Sequence, residues 1–463
     1  MEEEGKLRLA SPRGRGVVAA AVLGSSVAFL DSTVVNVALP TLGRSLGASF
    51  AGLQWTVDGY SLPLCSLLLV GGALGDRFGR RRVFLLGLTW FGLASVLCSL
   101  ANSVAVLVAA RALQGTGAAL LVPGSLALLR SALDERDQPA AIGAWAGLSG
   151  VATAAGPLAG GYLVEAVSWR AIFVLNVPLI AAALFVARRC VPESGVRQAG
   201  PLDLAGAVAA LLGLGLLTWG LIDLPSSRRG GPLLVAAGAA GVVLFLLRER
   251  RAANPMLPLG IFRSRQFAGA NLTTLAVYFA LGGATFLLVL YLQRVAGYSP
   301  LAAGASLLPV TALVLVLSPV MGRLVRRIGL RLPMTVGPLV IAAGLFLLSR
   351  LSAQASYAYT ALPGIALLGL GLGLTVAPLT SAALTGAGER FAGVASAVNN
   401  AVARVAGLLA VALLPLAAGG LSSDPRSLAQ GFPAAMRLAA FFCLAGAAIA
   451  AVTIPGAPAR RPA

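Results

Sequence analysis

The chain has no histidine and a single lysine, Lys6, in 463 residues. The first absence removes histidine-based catalytic triads and most zinc sites. The second, with no GxxxxGK[ST] stretch anywhere, removes the phosphate-binding loop of an ATP-driven machine. Cysteine is scarce as well. Cys65, Cys98, Cys190 and Cys443 make no CxxC pair and read as small apolar residues, not as ligands or disulfide partners. The largest deficit is charge. Only 11% of residues are charged, against 58% hydrophobic and a mean hydropathy of +0.89. A soluble chain of this length carries far more charge on its surface.

What is present is apolar sequence in runs of about 20 residues, each long enough to cross a bilayer as a helix. Strong period-2 alternation is missing, which argues against a membrane β-barrel. The expected fold class is therefore an all-α polytopic membrane protein. Apolar windows and breakers predict fourteen helices, near 17–39, 52–73, 83–101, 103–129, 139–164, 169–187, 202–222, 232–248, 266–293, 300–322, 333–350, 357–384, 391–418 and 435–455. The first segment carries Asp31 and has no convincing cleavage site, so it reads as a retained helix and not as a signal peptide.

The net charge of +19 does not point to nucleic acid, because the arginines are scattered between apolar segments and do not form one basic face. They fit the positive-inside rule with both termini in the cytoplasm of a cell that carries the protein in its inner or plasma membrane. Arg77, Arg80, Arg81 and Arg82 form one such cluster. Arg248, Arg250 and Arg251 form a second, and Arg323, Arg326 and Arg327 a third.

The sequence also repeats itself. "GALGDRFGRR" at 72–81 lies over "GRLVRRIGLR" at 322–331, with Gly72, Leu74, Arg77, Gly79 and Arg81 matching Gly322, Leu324, Arg327, Gly329 and Arg331. The flanking spans correspond too, so helices one to six repeat as nine to fourteen. This divides the chain into a tail (1–16), a six-helix bundle (17–190), two inserted helices (200–250), a second six-helix bundle (264–455) and a tail (456–463) expected to be disordered. Internal repeats of this kind build many transporters, with the substrate site between the halves near the midplane.

Ionisable side chains inside the spans are few and costly, and by default mark function. At 1.5 Å of rise per residue, Asp31 lies roughly 21 Å from the cytoplasmic face of a core roughly 30 Å thick. Asp58 lies roughly 9 Å below the outer face, Arg111 roughly 12 Å and Arg404 roughly 10 Å. Such a layer is expected if the four charges line one cavity and compensate one another. In that reading Asp31 and Asp58 bind protons or a cationic substrate and Arg111 sets their electrostatics. The competing reading is a structural ion pair between helices. The loop "GALGDRFGRRR" reads as a cytoplasmic latch in which Asp76 sits among arginines and glycines allow close approach. In "GVATAAGPLAGGYL" (150–163), Ala152, Gly156 and Gly160 share a face and Pro157 can bend the helix, as a hinge, a seal or a packing seam.

These stretches resemble the signature motifs of the major facilitator superfamily. "LDSTVVNVALP", "WTVDGYSL", "GALGDRFGRRR", "RALQGTG", "GPLAGGYL" and "SWRAIFVLNVP" follow one another in its order. With fourteen spans the chain is similar to the drug:proton antiporter branch, which includes quaternary-ammonium and methylenomycin-resistance-type exporters. The resemblance implies the major facilitator fold, two six-helix bundles with two inserted helices, and alternating access driven by protons. It implies that Asp31 is the membrane-embedded acid of helix one, Asp58 the helix-two acid and Arg111 the helix-four arginine linked to proton transfer. It assigns Gly72, Gly75, Asp76, Arg77, Gly79 and Arg80 to a cytoplasmic gating motif, and Gly156, Pro157, Gly160 and Gly161 to an antiport motif. Where some dicationic-drug exporters carry acids in helix thirteen, this chain has Asn399, Asn400 and Arg404 in "AVNNAVARVAGLLAV". The expectation is a monomeric exporter, not an enzyme, of amphipathic cationic or neutral organic compounds. Protons are the coupling ion, the lipid bilayer is its surroundings, and no further cofactor, metal, nucleic acid or ATP is needed. The alternatives are a dedicated exporter of one metabolite or antibiotic, and a non-transporting membrane sensor or scaffold.

Overall fold

The computed structural model describes residues 6–193, 203–252, 255–352, 356–388, 391–420 and 424–456. The C-terminal tail expected to be disordered lies, apart from its first residue, outside them. Among the described residues, long helices dominate and no named strand occurs. They are α1 (Pro12–Leu46), α2 (Phe50–Phe78), α3 (Arg80–Ser99), α4 (Val104–Ala132), α5 (Gln138–Ala166), α6 (Ala171–Cys190), α7 (Leu204–Asp223), α8 (Gly230–Arg251), α9 (Arg265–Arg294), α10 (Pro300–Ile328), α11 (Arg331–Leu348), α12 (Tyr357–Ala387), α13 (Ala392–Ala417) and α14 (Pro425–Thr453). Thirteen are long and apolar enough to cross a membrane. The fourteenth, α5, is 29 residues long. Its many Gly, Ala, Ser and Thr residues dilute its hydropathy. α14 starts ten residues earlier than its apolar stretch suggests, because Asp424 caps it through Ser427 N and Pro425 suits the first turn.

Small polar residues start many of these helices. Ser11, Ser49, Ser103, Ser264 and Ser299 each accept a bond from a first-turn N–H. Glycines end others. Gly79 and Gly329, equivalent in the repeat, have φ of 99° and 78° and turn the chain between α2 and α3 and between α10 and α11. α6 breaks at Leu175 and α10 at Leu307.

The two halves pair their helices alike. α1 packs on α4, α5 and α6, and α2 and α3 on α4. In the same way α9 packs on α12, α13 and α14, and α10 and α11 on α12. Between the halves α2 meets α13 and α5 meets α10. The inserted α7 lies against α2 and α13, while α8 meets mainly α7 and exposes most of its surface.

The hydrophobic core is divided by depth. Take as the basic end the one carrying Arg80–Arg82, Arg248–Arg251 and Arg326–Arg327. Toward the opposite end one cluster joins both bundles: Val34, Ala38 and Leu42 of α1 share it with Leu287 and Tyr291 of α9 and Val411 and Leu414 of α13. Toward the basic end the cluster splits. Val17, Phe84 and Leu129 belong to a core almost wholly of the first bundle, and Phe267, Leu379 and Ala395 to one of the second. The bundles are thus closed together at the end opposite the arginines and separate toward the basic end.

Candidate functional site

Asp31 and Arg111 form an ion pair inside the first bundle, between Asp31 Oδ2 and Arg111 Nη1, with both residues 1% exposed. Side chains from α4, α6 and α3 complete the cluster. Gln114 Nε2 of α4 donates to Asp31 Oδ1 at 2.9 Å, and Asn176 Nδ2 of α6 donates to the same oxygen at 2.8 Å. Ser95 Oγ of α3 accepts from Gln114 at 2.9 Å and from Asn176 at 3.3 Å. The break at Leu175 leaves Asn176 at the start of a new helical segment beside α1. Arg111 also donates from Nε to the Thr56 carbonyl at 3.3 Å and from Nη1 to Gln114 Oε1 at 2.6 Å, and stands 4.3 Å from the centre of the Tyr60 ring. A buried ion pair is stable only when its remaining donors and acceptors are satisfied in this way.

Asp58 has none of this. It is fully buried, and neither carboxylate oxygen accepts a hydrogen bond. Gln54, one turn earlier on α2, crosses the seam and donates to the Val411 carbonyl of α13 at 2.7 Å. Asp58 lies one turn beyond Gln54 on α2, and nearby Trp55 of α2 and Trp219 of α7 stack edge to face. Thr218 of α7 is also buried with an unsatisfied hydroxyl. Of the inserted pair, α7 thus packs directly on the stretch of α2 that carries Asp58.

Arg404 of α13 is half-buried and has no acidic partner among the described residues. Its Nε donates to Asn400 Oδ1 at 3.3 Å, and its guanidinium lies 5.7 Å from the Phe29 ring of α1, across the seam. Asn399 turns the other way. It donates to Thr274 at 2.7 Å and Asn271 at 3.3 Å, within the second bundle.

The layer of four charges thus divides. Asp31 and Arg111 compensate each other within one bundle and away from the seam, whereas Asp58 and Arg404 occupy the seam without a mutual salt bridge. The expectation of a single cavity lined by all four is corrected accordingly. Gln114, Asn176, Ser95 and Thr218 were not singled out in the sequence. Gln114 and Asn176 stand inside "RALQGTG" and "VLNVP", and polar residues at mid-span depth were the available signal.

The glycine motif of α5 faces both α1 of its own bundle and α10 across the seam. Side chains at Gly156 and Gly160 would strike Thr33 and Val34 of α1, and one at Gly161 would stand 2.6 Å from the Leu301 Cα of α10. Gly304 of α10 rests on the Pro157 carbonyl. Glu165 Oε2 accepts from Leu301 N at 3.2 Å, a carboxylate at the start of a helix in the other bundle.

At the basic end Asp76 pairs with Arg80 at 2.8 Å, and Arg80 Nη1 donates to the Ala127 carbonyl of α4 at 3.2 Å. This latch therefore closes within the first bundle. Arg77 is exposed beside the Phe78 ring. A Cβ at Gly72 would come 3.8 Å from Pro123, and one at Gly75 would come 3.8 Å from Arg80, both ordinary contacts. At Gly79 a Cβ would come within 2.6 Å of Glu193 Oε1.

Comparison with known proteins adds the following. A family description, Major Facilitator Superfamily, matches residues 21–411. The chain is 37% identical over 396 residues to "Multidrug resistance protein Stp" of Mycobacterium tuberculosis, covering 85% of this chain and 73% of that one. It is 38% identical over 413 residues to "Methylenomycin A resistance protein" of Bacillus subtilis, covering 87% of each. Among solved structures, a bacterial homologue of the human lysosomal transporter Spinster, described as inward-facing and unoccupied, superposes with a TM-score of 0.68 at 17% identity, covering 96% of this chain and 97% of that one. At that identity the likeness bears on the fold alone.

Proposed function

The chain belongs to the major facilitator superfamily, and from that premise we propose that it is a proton-coupled exporter of amphipathic organic compounds, cationic or neutral. The proposed orientation places the basic end and both termini in the cytoplasm, because the arginine clusters collect there. The structure is then closed to the outside and open toward the cytoplasm. The protein works as a monomer and without ATP. The seam, where Asp58, Arg404, Asn400 and Phe29 gather, receives the substrate.

The observation that carries this reading is Asp58, buried under the closed outer seam with no donor and no cation. A carboxyl group so placed is tolerated when it carries a proton and costs several kcal/mol when it does not. Loss of the proton to the cytoplasm therefore favours separation of α2 from α13 and α7, the movement that opens the site outward. Rebinding of a proton from outside permits closure. A proton thus travels inward with each cycle while a bound compound leaves, and Asp58 couples the two.

The names of the relatives, several of them single antibiotics, favour a second reading in which this machinery serves one compound. Both readings meet one experiment. In inverted vesicles energised by respiration, compounds are screened for uptake and for accompanying proton release. Uptake that persists undiminished after the proton gradient is collapsed would reject proton coupling. A single active compound in a broad panel would select the dedicated exporter.

A further inference from the structure

The inserted helices carry a feature that export does not use. We propose that Asp203 and Glu249 form a second proton-binding site, outside the translocation path, in which two carboxyl groups share one proton. Asp203 caps the start of α7, and Glu249 sits in the last turn of α8 beyond its apolar stretch, beside Arg248, Arg250 and Arg251. The Asp203 side chain is 5% exposed and Glu249 is 2% exposed.

Half of the pair's oxygens are satisfied. Asp203 Oδ1 accepts from Gly206 N at 2.8 Å and from Arg248 Nη2 at 2.8 Å. Glu249 Oε2 accepts from Leu257 N at 2.7 Å. The other two, Asp203 Oδ2 and Glu249 Oε1, are buried and accept nothing. They stand together over Gly206, where a Cβ would lie 2.7 Å from each. Two ionised carboxylates in that position repel. One proton between them turns the repulsion into a charge-assisted O–H···O bond. Asp203 is held ionised by Arg248, whereas Glu249 has only a backbone N–H on its far oxygen, so the proton resides on Glu249.

Among the described residues the charged surroundings of the pair are few. Arg248 faces it from α8, and Arg250 and Arg251 are exposed. Among the described residues, α7 and the connector toward α9 supply the N–H groups of Gly206 and Leu257 and no further charge. Among the described residues no cluster of three acids, histidines or cysteines suits a metal ion, and Arg248 already occupies the position a cation would take.

The shared proton ties together the start of α7, the end of α8 and the connector that leads into the second bundle. The folded pair keeps a proton that unfolded carboxyls release near about pH 4. Its stabilisation is therefore present at low pH and fades as the pH rises through the range in which the folded pair loses that proton. Under the proposed orientation the pH sensed is that of the cytoplasm. The site itself does not depend on export, and its test reads the site alone.

The test is hydrogen exchange of the purified full chain over a rising pH series, corrected for intrinsic chemical exchange. Wild-type Leu257 N–H should exchange about tenfold faster once the pair is deprotonated. In Glu249→Gln the amide donates permanently to Asp203 Oδ2, so protection should stay level with pH. Gly206→Ala should push the carboxyls apart and give fast exchange throughout. As a second reading, infrared difference spectra of wild type against Glu249→Gln at neutral pH should contain a protonated-carboxyl band. Identical pH profiles for wild type and Glu249→Gln, or absence of that band, would overturn the shared proton.

Discussion

Replacing Asp31 with Asn isolates what the buried ion pair does. The change removes the acid that pairs with Arg111 and keeps the side-chain shape. Arg111 retains the Gln114 and Thr56 oxygens and the face of Tyr60, all uncharged. Removing one partner of a buried pair costs about 3–5 kcal/mol, because the other charge stays in a place built for two. Uncharged acceptors and the aromatic face offset part of this, so a loss of about 2–4 kcal/mol is expected. The double variant Asp31→Asn/Arg111→Met removes the stranded cation and leaves the introduced amide among Gln114, Asn176 and Ser95. Its stability should return close to that of the wild type. Cys65, Cys98 and Cys443 are buried, so a thiol-reactive dye reports unfolding of the detergent-solubilised protein without added labels. The expected order of unfolding temperature is wild type near the double variant, with Asp31→Asn well below both. Export measured in the stable double variant separates coupling from folding. A single variant as stable as wild type, or a double variant no better than the single, would refute the ion-pair reasoning. Full export by the double variant would leave the pair a purely structural element.

Asp58 should behave in the opposite way. Asp58→Asn removes no ion pair, so the unfolding temperature should stay at or above wild type while proton-driven export disappears, measured in the same vesicles. Glu165→Gln weakens the cap on Leu301 N by about 1–2 kcal/mol and should raise the labelling of an engineered outer-seam cysteine by an impermeant reagent. Gly161→Val forces a side chain into the Leu301 backbone and should hold the outer seam open, with insertion intact and coupled export abolished. Gly79→Ala puts a Cβ at a φ of 99° and against Glu193, and should destabilise by about 1–3 kcal/mol in the same dye assay.

Much of this molecule was legible because lipid imposes one rule on every span. Apolar runs and the repeat at 72–81 and 322–331 suffice to place the helices, since no other backbone form crosses a bilayer with its polar groups satisfied, closed barrels apart. Depth was legible too, at about 1.5 Å per residue. Direction around the helix axis was not. Asp31 and Asp58 sit in neighbouring helices of similar composition, yet one turns into its own bundle and the other toward the seam. That difference depends on which face meets Gln114 and Asn176 and which meets α13, and it is fixed by tertiary packing. Asn399 and Asn400 make the same point, since adjacent residues on a helix point about 100° apart. The carboxyl pair of the inserted helices was hidden for another reason. Asp203 and Glu249 are far apart in sequence and each looks like an ordinary polar end of a span.

The seam also explains how one proton can govern so large a movement. Among the described residues the polar bonds across the seam include Gln54 to the Val411 carbonyl, Gln293 to the Val37 carbonyl at 2.9 Å, and Leu301 N to Glu165. Each is worth about 1 kcal/mol net. Moving an equilibrium from almost wholly closed to almost wholly open takes about 5.5 kcal/mol. An ionised Asp58 left unpaired beneath the closed seam costs several kcal/mol, which is the size required. Asp31 cannot supply that bias, because its partners all lie in its own bundle and move with it. On the proposed reading the side chain that converts proton occupancy into separation of the bundles is Asp58, buried and without a partner one turn from the Gln54 bond that crosses the seam.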